Sequence, residues 1–358
     1  MKRLQKVMTA IAQNNLDGVL LKDENTIRYV SGFTGDSSLL YISRKNIVLI
    51  TDGRYTEQAR QQLNNMFKVL EYKAVDSKSI WLAAVELAQA DEVKALGFDG
   101  SWYSFNDYSV LKELAADIEL VSMDFSHIRM VKDRQELECL YEAAKISDNA
   151  FKRLLLDIRP NVTEMELAAR LEYYMRELGS EKVSFDTIVA SGERSALPHG
   201  MASEKKLAMG ELVTFDFGAV YKGYHADITR TIMLGMANGW QREIYSLVEE
   251  AQLLGLKAAH VGMTGKELDA IVRQCIVDGG YGDYFIHGLG HGVGLEIHEL
   301  PNINKRGDIV LEEGMVFSIE PGIYIPGKGG VRIEDSVVLT AEGAKPLNTV
   351  RKQLIEIV

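Results

Sequence analysis

Leu212-Val-Thr-Phe-Asp216-Phe-Gly-Ala-Val-Tyr-Lys-Gly-Tyr-His-Ala-Asp227-Ile-Thr-Arg-Thr-Ile-Met233 is the stretch from which the rest of the chain is read. Two strand-like runs, 212–219 and 224–233, flank Tyr221-Lys222-Gly223, which has turn chemistry. Each run places an aspartate among apolar neighbours, where an ionised carboxylate is costly unless a cation or tight hydrogen bonds compensate it. A two-residue turn at Tyr221-Lys222 sets Asp216 directly opposite Asp227, and one at Lys222-Gly223 sets them diagonally. Both turns leave the two carboxylates on one face, able to grip the same ions.

Further along, the pattern repeats. Val316-Phe-Ser-Ile-Glu320 reads as a strand halted by Pro321-Gly322, and Val331 to Leu339 reads as another after Gly329-Gly330. Alternation along the second run puts Arg332, Glu334 and Ser336 on one face and Ile333, Asp335 and Val337 on the other, which favours Glu334 over Asp335 as a ligand. Between the two carboxylate pairs lies His287-Gly-Leu-Gly-His291-Gly-Val-Gly-Leu-Glu-Ile-His298-Glu299, whose four glycines let backbone crowd close to a site. Four carboxylates and the imidazole of His291 suit two divalent cations, whose four positive charges match the carboxylates. An oxygen-rich set leans toward Mn²⁺, with Co²⁺, Zn²⁺ or Fe²⁺ as alternatives. Two ions about 3.5–4 Å apart activate water and stabilise a tetrahedral oxyanion, which is hydrolase chemistry.

The remaining histidines have plainer readings. His225 falls on the face of Asp227 by parity, and a place at the site competes with that of a pocket wall or a solvent-exposed residue. His260, in Ala-Ala-His-Val-Gly, suits the carboxy-terminal end of a helix. His127 marks an interdomain connection without catalytic context. For Arg332, contact with substrate competes with a salt bridge that orients Glu334 or Asp335.

At 358 residues the chain is long enough for two cores. A net charge of −11 argues against a nucleic-acid footprint, and the chain has neither a basic run nor about 18 consecutive apolar residues to suggest a membrane partner. Two cysteines, Cys139 and Cys275, both in helical patterns, do not make a disulfide framework, and Met-Lys-Arg-Leu-Gln-Lys opens no apolar leader, so the expectation is cytoplasmic. The division falls near His127. Before it, strands at 16–21, 38–43 and 46–51 alternate with helices at 54–63 and 80–90, an α/β pattern. After it, Asp133 opens a long amphipathic helix with Leu137, Leu140, Ala144, Phe151 and Leu154 on one face. Thr163-Glu-Met-Glu166 and Thr264-Gly-Lys-Glu267 are both capping boxes, each opening a helix that ends at Gly179 or Gly279. Two copies of helix, helix and strands, related by pseudo-symmetry, would make a curved sheet backed by helices, with the ions between the halves.

FDFGAVYKGYHADITRT (215–231), HGLGHGVGLEIHE (287–299), SIEPGIY (318–324) and VRIEDSVVLT (331–340) together resemble the metallopeptidase family of aminopeptidase P and prolidase. The resemblance covers essentially the whole chain. It implies an α+β pita-bread catalytic domain with a curved antiparallel sheet, residues 127–358, preceded by a smaller creatinase-like α/β domain, residues 1–126. In its terms Asp216 chelates one ion, Asp227 and Glu334 bridge both, and His291 and Glu320 complete the other. Glu320 also shuttles the proton of the bridging water, while His199 and His298 hold the scissile carbonyl or the tetrahedral intermediate. His287 and Tyr324 line the proline side, and Arg332 stands beside the metal centre. The implied reaction is hydrolysis of an amino-terminal Xaa-Pro bond by a hydroxide shared between the ions, on proline-containing peptides. Proline lacks an N–H and has a fixed φ, so it calls for a dedicated pocket. A Xaa-Pro dipeptidase shares every ligand but needs a cationic group to read the substrate carboxylate, and a non-catalytic member would show a broken ligand set. The resemblance further implies a homodimer whose amino-terminal domain closes over a site. Gly32 to Asp36 and Asp52 to Tyr55 are loops where such contacts would be sought.

Overall fold

The structure, a computed structural model, describes residues 2–358 and separates into one compact unit ending at Arg129 and another spanning Met130–Val358. The boundary expected at 126/127 falls in a short helical turn, Ser126–Arg129. Among the described residues no helix is long and apolar enough to cross a membrane.

In the first unit, strands β1 (Gly18–Leu21), β2 (Ser38–Ser43), β3 (Ile47–Thr51), β4 (Lys68–Glu71), β5 (Ala95–Asp99) and β6 (Glu119–Met123) form one mixed sheet in the order β4-β3-β2-β1-β5-β6. Helices α1 (Lys2–Gln13), α2 (Glu24–Ser31), α3 (Thr56–Gln62), α4 (Ser79–Ala90) and α5 (Phe105–Leu114) complete it. The strands read from sequence are β1 to β3, and the helices are α3 and α4. Residues 95–99 escaped that reading because β5 is buried along almost its whole length, so it has no polar alternation to betray it.

The second unit opens with α6 (Arg134–Leu154), capped by Asp133 and Glu136, and α7 (Glu164–Glu177), capped by Thr163 and Glu166. Strands β7 (Ile188–Ser191), β8 (Glu211–Phe217), β9 (Val220–Tyr221), β10 (Tyr224–His225) and β11 (Ile228–Leu234) follow. The second copy starts with α8 (Gly239–Ala258) and α9 (Gly265–Asp278), the latter capped by Thr264 and Glu267. After these come β12 (Gly290–Gly292), β13 (Glu299–Ile303), β14 (Val316–Ile319), β15 (Gly322–Ile325), β16 (Gly329–Arg332), β17 (Asp335–Thr340), β18 (Gly343–Pro346) and β19 (Glu356–Ile357). One sheet runs β19-β11-β8-β7 and another β13-β12-β14-β17-β18. The repeat extends to detail: each capping threonine also makes an isolated antiparallel bridge, Thr163 to Lys206 and Thr264 to Val310. Each copy buries its own core. Phe151 of α6 packs on Phe215 and Phe217 of β8, with ring centroids 5.5 and 5.3 Å away.

The turn between the aspartates is Lys222-Gly223, with φ of 47° and 78°, the doubly left-handed geometry of a type I′ hairpin. Asp216 therefore pairs with Thr229 and lies diagonal to Asp227. The continuous strand expected over 331–339 is instead two. β16 pairs with β15 and β17 with β14, and the break between them leaves Ile333 and Glu334 outside any ladder. The strand expected to halt at Pro321-Gly322 does so, β14 ending at Ile319, and Gly322 opens a new strand, β15, in a separate two-stranded sheet. The break has a physical reason: the Glu334 amide donates to the Thr229 carbonyl (3.1 Å), and Thr231 Oγ1 donates to the Arg332 carbonyl (3.0 Å), so this segment seams the second copy to β11 of the first.

Candidate metal centre and active site

Both carboxylate pairs sit at hairpin mouths. Asp216 is next to last in β8 and Asp227 immediately precedes β11, while Glu320 follows β14 and Glu334 precedes β17. One oxygen from each of Asp216, Asp227 and Glu334 lies within 4.8 Å of the others. His291, in β12, brings Nε2 to 3.5 Å from Asp227 Oδ2 and 3.4 Å from Glu320 Oε1. All five face one cavity of about 490 Å³ in the second unit. The close backbone approach expected of the glycine-rich segment is real at Gly290, where a Cβ would stand 2.0 Å from the Ser318 carbonyl.

The donors fit a cation. Asp216 Oδ2 takes a hydrogen bond from Arg332 Nη2 (2.7 Å), but its Oδ1 is buried with no hydrogen-bond partner, a costly state for a carboxylate. Burial, then the neighbouring carboxylates, push Asp227 and Glu334 well above the ordinary carboxyl range. Burial also raises Glu320. His291 Nδ1 lies 3.1 Å from the Gly292 carbonyl, which makes it the protonated nitrogen and turns the Nε2 lone pair toward Asp227 and Glu320. A lone pair aimed at two carboxylate oxygens is repulsive unless positive charge lies among them, and imidazole, carboxylate and carboxylate are ligands divalent ions accept.

His199, His287, His298 and Arg332 also line the cavity. The His298 ring centroid is 4.2 Å from that of His291, and burial, helped by His291, brings its pKa down to about 4, so it is neutral near pH 7. Burial likewise lowers His287. Tyr324 is not part of the lining. Its hydroxyl, pushed up to about 12 by burial, sits behind His287, 2.9 Å from Nε2, and accepts from Arg332 Nη1 (2.8 Å). Arg332 does not pair with Glu334 or Asp335. Its guanidinium meets Asp216, Thr229, Tyr324 and the Pro198 carbonyl, because the strand break turns Asp335 away to Arg230 (2.7 Å) and Lys352 (2.5 Å).

His225 is neither pocket wall nor exposed. It is buried, with Nδ1 2.8 Å from Ser184 Oγ. His260 lies just past α8, 2.9 Å from the Ala258 carbonyl, as helix-end chemistry anticipated. His127 is exposed beside Asp124. In the first unit the two loops meet each other: Phe33 and Tyr55 pack edge-on at 6.3 Å, and the Tyr55 hydroxyl donates to Asp36.

Two supporting residues were missed. Thr229 donates from Oγ1 to Glu334 Oε2 (2.6 Å), and Ser318 donates to Glu320 Oε1 (3.0 Å) while accepting the His291 amide (3.1 Å). Each stands two residues from a carboxylate, Thr229 after Asp227 and Ser318 before Glu320, so strand parity would have found them. Phe185, Ile188, Met201 and Ile297 supply apolar wall, and Asp186, Asn302 and Asn304 a polar one, with no sequence signal of their own.

Comparison with known proteins shows the family of the chain. Residues 138–341 match the model of metallopeptidase family M24, and residues 3–131 that of the creatinase/prolidase N-terminal domain. A Xaa-Pro dipeptidase of Pyrococcus furiosus is 41% identical, with 99% of each chain covered. A solved Xaa-Pro dipeptidase from Bacillus anthracis superposes with a TM-score of 0.95 at 43% identity, covering 100% of this chain and 99% of the other. An X-Pro aminopeptidase from Thermotoga maritima gives 0.90 at 40% identity, covering 98% and 100%. The chain is thus a pita-bread hydrolase with a creatinase-type amino-terminal domain, and it belongs to metallopeptidase family M24.

Proposed function

We propose that this chain hydrolyses the bond between an amino-terminal residue and a following proline, with Asp216, Asp227, His291, Glu320 and Glu334 holding two divalent ions. The observation that carries the reading is the convergence of these five donors on one cavity, with Asp216 Oδ1 buried and unpartnered. When bound, the ions supply Lewis acidity and lower the pKa of water. Glu320, anchored through Oε1 by Ser318, is placed to take a proton from the attacking water and return it to the departing proline nitrogen. His298, neutral near pH 7, and His199 offer N–H groups to the oxyanion of the tetrahedral intermediate. His287, braced by Tyr324, frames the proline ring. Arg332 holds Asp216 by one oxygen and leaves the other for a cation.

Substrate length follows from charge. Among the described residues lining the cavity, Arg332 is the one permanent cation, and its guanidinium is engaged with four partners, so nothing is left to neutralise the carboxylate of a Xaa-Pro dipeptide. This favours longer peptides and an aminopeptidase. The dipeptidase reading stands second, supported by the names of the Pyrococcus and Bacillus relatives. Mn²⁺ is the proposed metal because four of the five ligands are carboxylates. A homodimer is carried over from the resemblance, and a cytoplasmic location from the two unbridged cysteines. Purified chain loaded with Mn²⁺ and given a Xaa-Pro dipeptide beside a Xaa-Pro tripeptide is expected to show the higher kcat/KM on the tripeptide. Cleavage of the dipeptide alone reverses the length assignment, and cleavage of neither ends the proposal.

A further inference from the structure

Each copy of the repeat ties down a pocket loop with a buried carboxylate from its second helix. Glu164, the first residue of α7, is 0% exposed. Its Oε1 accepts from the Ser191 amide (2.7 Å) and hydroxyl (2.8 Å), and its Oε2 from Arg194 Nε (3.0 Å) and from the Ser203 amide (3.1 Å) and hydroxyl (2.6 Å). Arg194 then reaches the Met201 carbonyl with Nη2 (2.5 Å). The segment clamped at both ends, 191–203, is the one that carries His199.

The second copy makes a comparable hold from a different helix position, with its arginine on the helix rather than in the loop. Asp269 on α9, 1% exposed, accepts the Leu289 amide at Oδ1 (3.0 Å) and a two-pronged contact from Arg273 (2.8 and 2.9 Å). Arg273 passes the hold on to the carbonyls of Phe285 (2.8 Å) and His287 (2.6 Å). Here the clamped segment, 285–289, carries His287.

Hydrophobic burial alone does not fix these loops: Leu197 and Met201 are each 50% exposed in the first, and in the second Phe285 and Leu289 are buried while Ile286 between them is 65% exposed. Charge-assisted hydrogen bonds onto a desolvated carboxylate are about twice as strong as neutral ones, and they are directional, so they set where the backbone lies. We propose that Glu164 with Arg194, and Asp269 with Arg273, are positioning residues, one pair per copy, that hold His199 and His287 in place at the pocket. The catalytic consequence rests on the hydrolase reading above, whereas the positioning itself does not.

Hydrogen exchange of the full chain tests the two clamps separately. Glu164→Gln is expected to speed exchange of amides in 192–202 by about tenfold or more and to leave 285–289 unchanged, and Asp269→Asn is expected to do the reverse. Glu164→Gln should also lower kcat on a Xaa-Pro tripeptide about 10- to 100-fold, as a displaced group does, and its effect should largely vanish in a His199→Ala background. Faster exchange spread evenly over 130–358, an unchanged loop, or an effect additive with His199→Ala would each overturn the proposal. If Glu164→Gln does not fold, Ser203→Ala removes one donor of the same clamp and must show the same local signature. A chain that cleaves no Xaa-Pro peptide would refute the proposed function, while the exchange measurement would still decide the clamps.

Discussion

Asp216 shows how one side chain divides its work. Oδ2 is satisfied by Arg332 and fixes the carboxylate plane, while Oδ1 is buried without a partner. Glu334 repeats the division, giving Oε2 to Thr229. Both carboxylates stood out in the sequence because a charge inside an apolar run demands compensation. What each would bond to did not, since Arg332 is near in sequence to Glu334 and Asp335 and yet pairs with Asp216, 116 positions away. Glu334→Gln removes a negative charge and puts an N–H donor where a lone pair is wanted. We expect Mn²⁺ affinity, measured by calorimetry, to fall by about 100-fold or more, and turnover of a Xaa-Pro tripeptide to fall to background. Full activity in this variant would contradict the assignment.

Among the elements, β12 is three residues long, yet it sets His291, the candidate histidine ligand, against both carboxylate pairs. It can do so because Gly290 lies flat against Ser318, where a Cβ would come within 2.0 Å of a carbonyl oxygen. Gly290→Ala should therefore displace the strand, costing about 1–3 kcal/mol of stability by thermal melting, with loss of activity. Gly239→Ala, at the open start of α8 where a Cβ meets nothing within 4 Å, is the matched control and should change neither. Capping boxes were the most legible elements, because Thr163, Glu166, Thr264 and Glu267 satisfy helix-end donors with their own side chains and need no distant partner. The split of 331–339 into β16 and β17 was not legible: strand alternation cannot say which neighbours a strand pairs with, and here the partner changes at Ile333 and Glu334.

For the molecule as a whole, the metal reading has a thermal consequence confined to one unit. Ions bound to the folded second unit and not to the unfolded chain stabilise it by about 2.7 kcal/mol at a hundredfold excess over Kd. For a unit of this size each kcal/mol moves Tm by about 2–4 °C. In scanning calorimetry, chelation should lower the transition of Met130–Val358 by several degrees and Mn²⁺ should restore it, while the transition of the unit ending at Arg129 stays put. Equal shifts in both, or none, would argue against ions held by these five side chains.

The chain's sequence alone pointed to the candidate ligands, to a duplicated helix, helix and strand motif, and to where α6, α7 and α9 begin. Those readings rest on local rules: a carboxylate in an apolar run, a capping box, and turn residues between two strands, where the structure then chose Lys222-Gly223 over Tyr221-Lys222. Tertiary structure alone decided that Asp335 belongs to Arg230, that Thr229 reaches Glu334, and that Glu164 and Asp269 hold the segments carrying His199 and His287. Arg230 with Asp335 and Thr229 with Glu334 join residues 105 positions apart across the two copies, whereas each clamp closes within its own copy, and in both cases packing rather than a local sequence rule sets the partner.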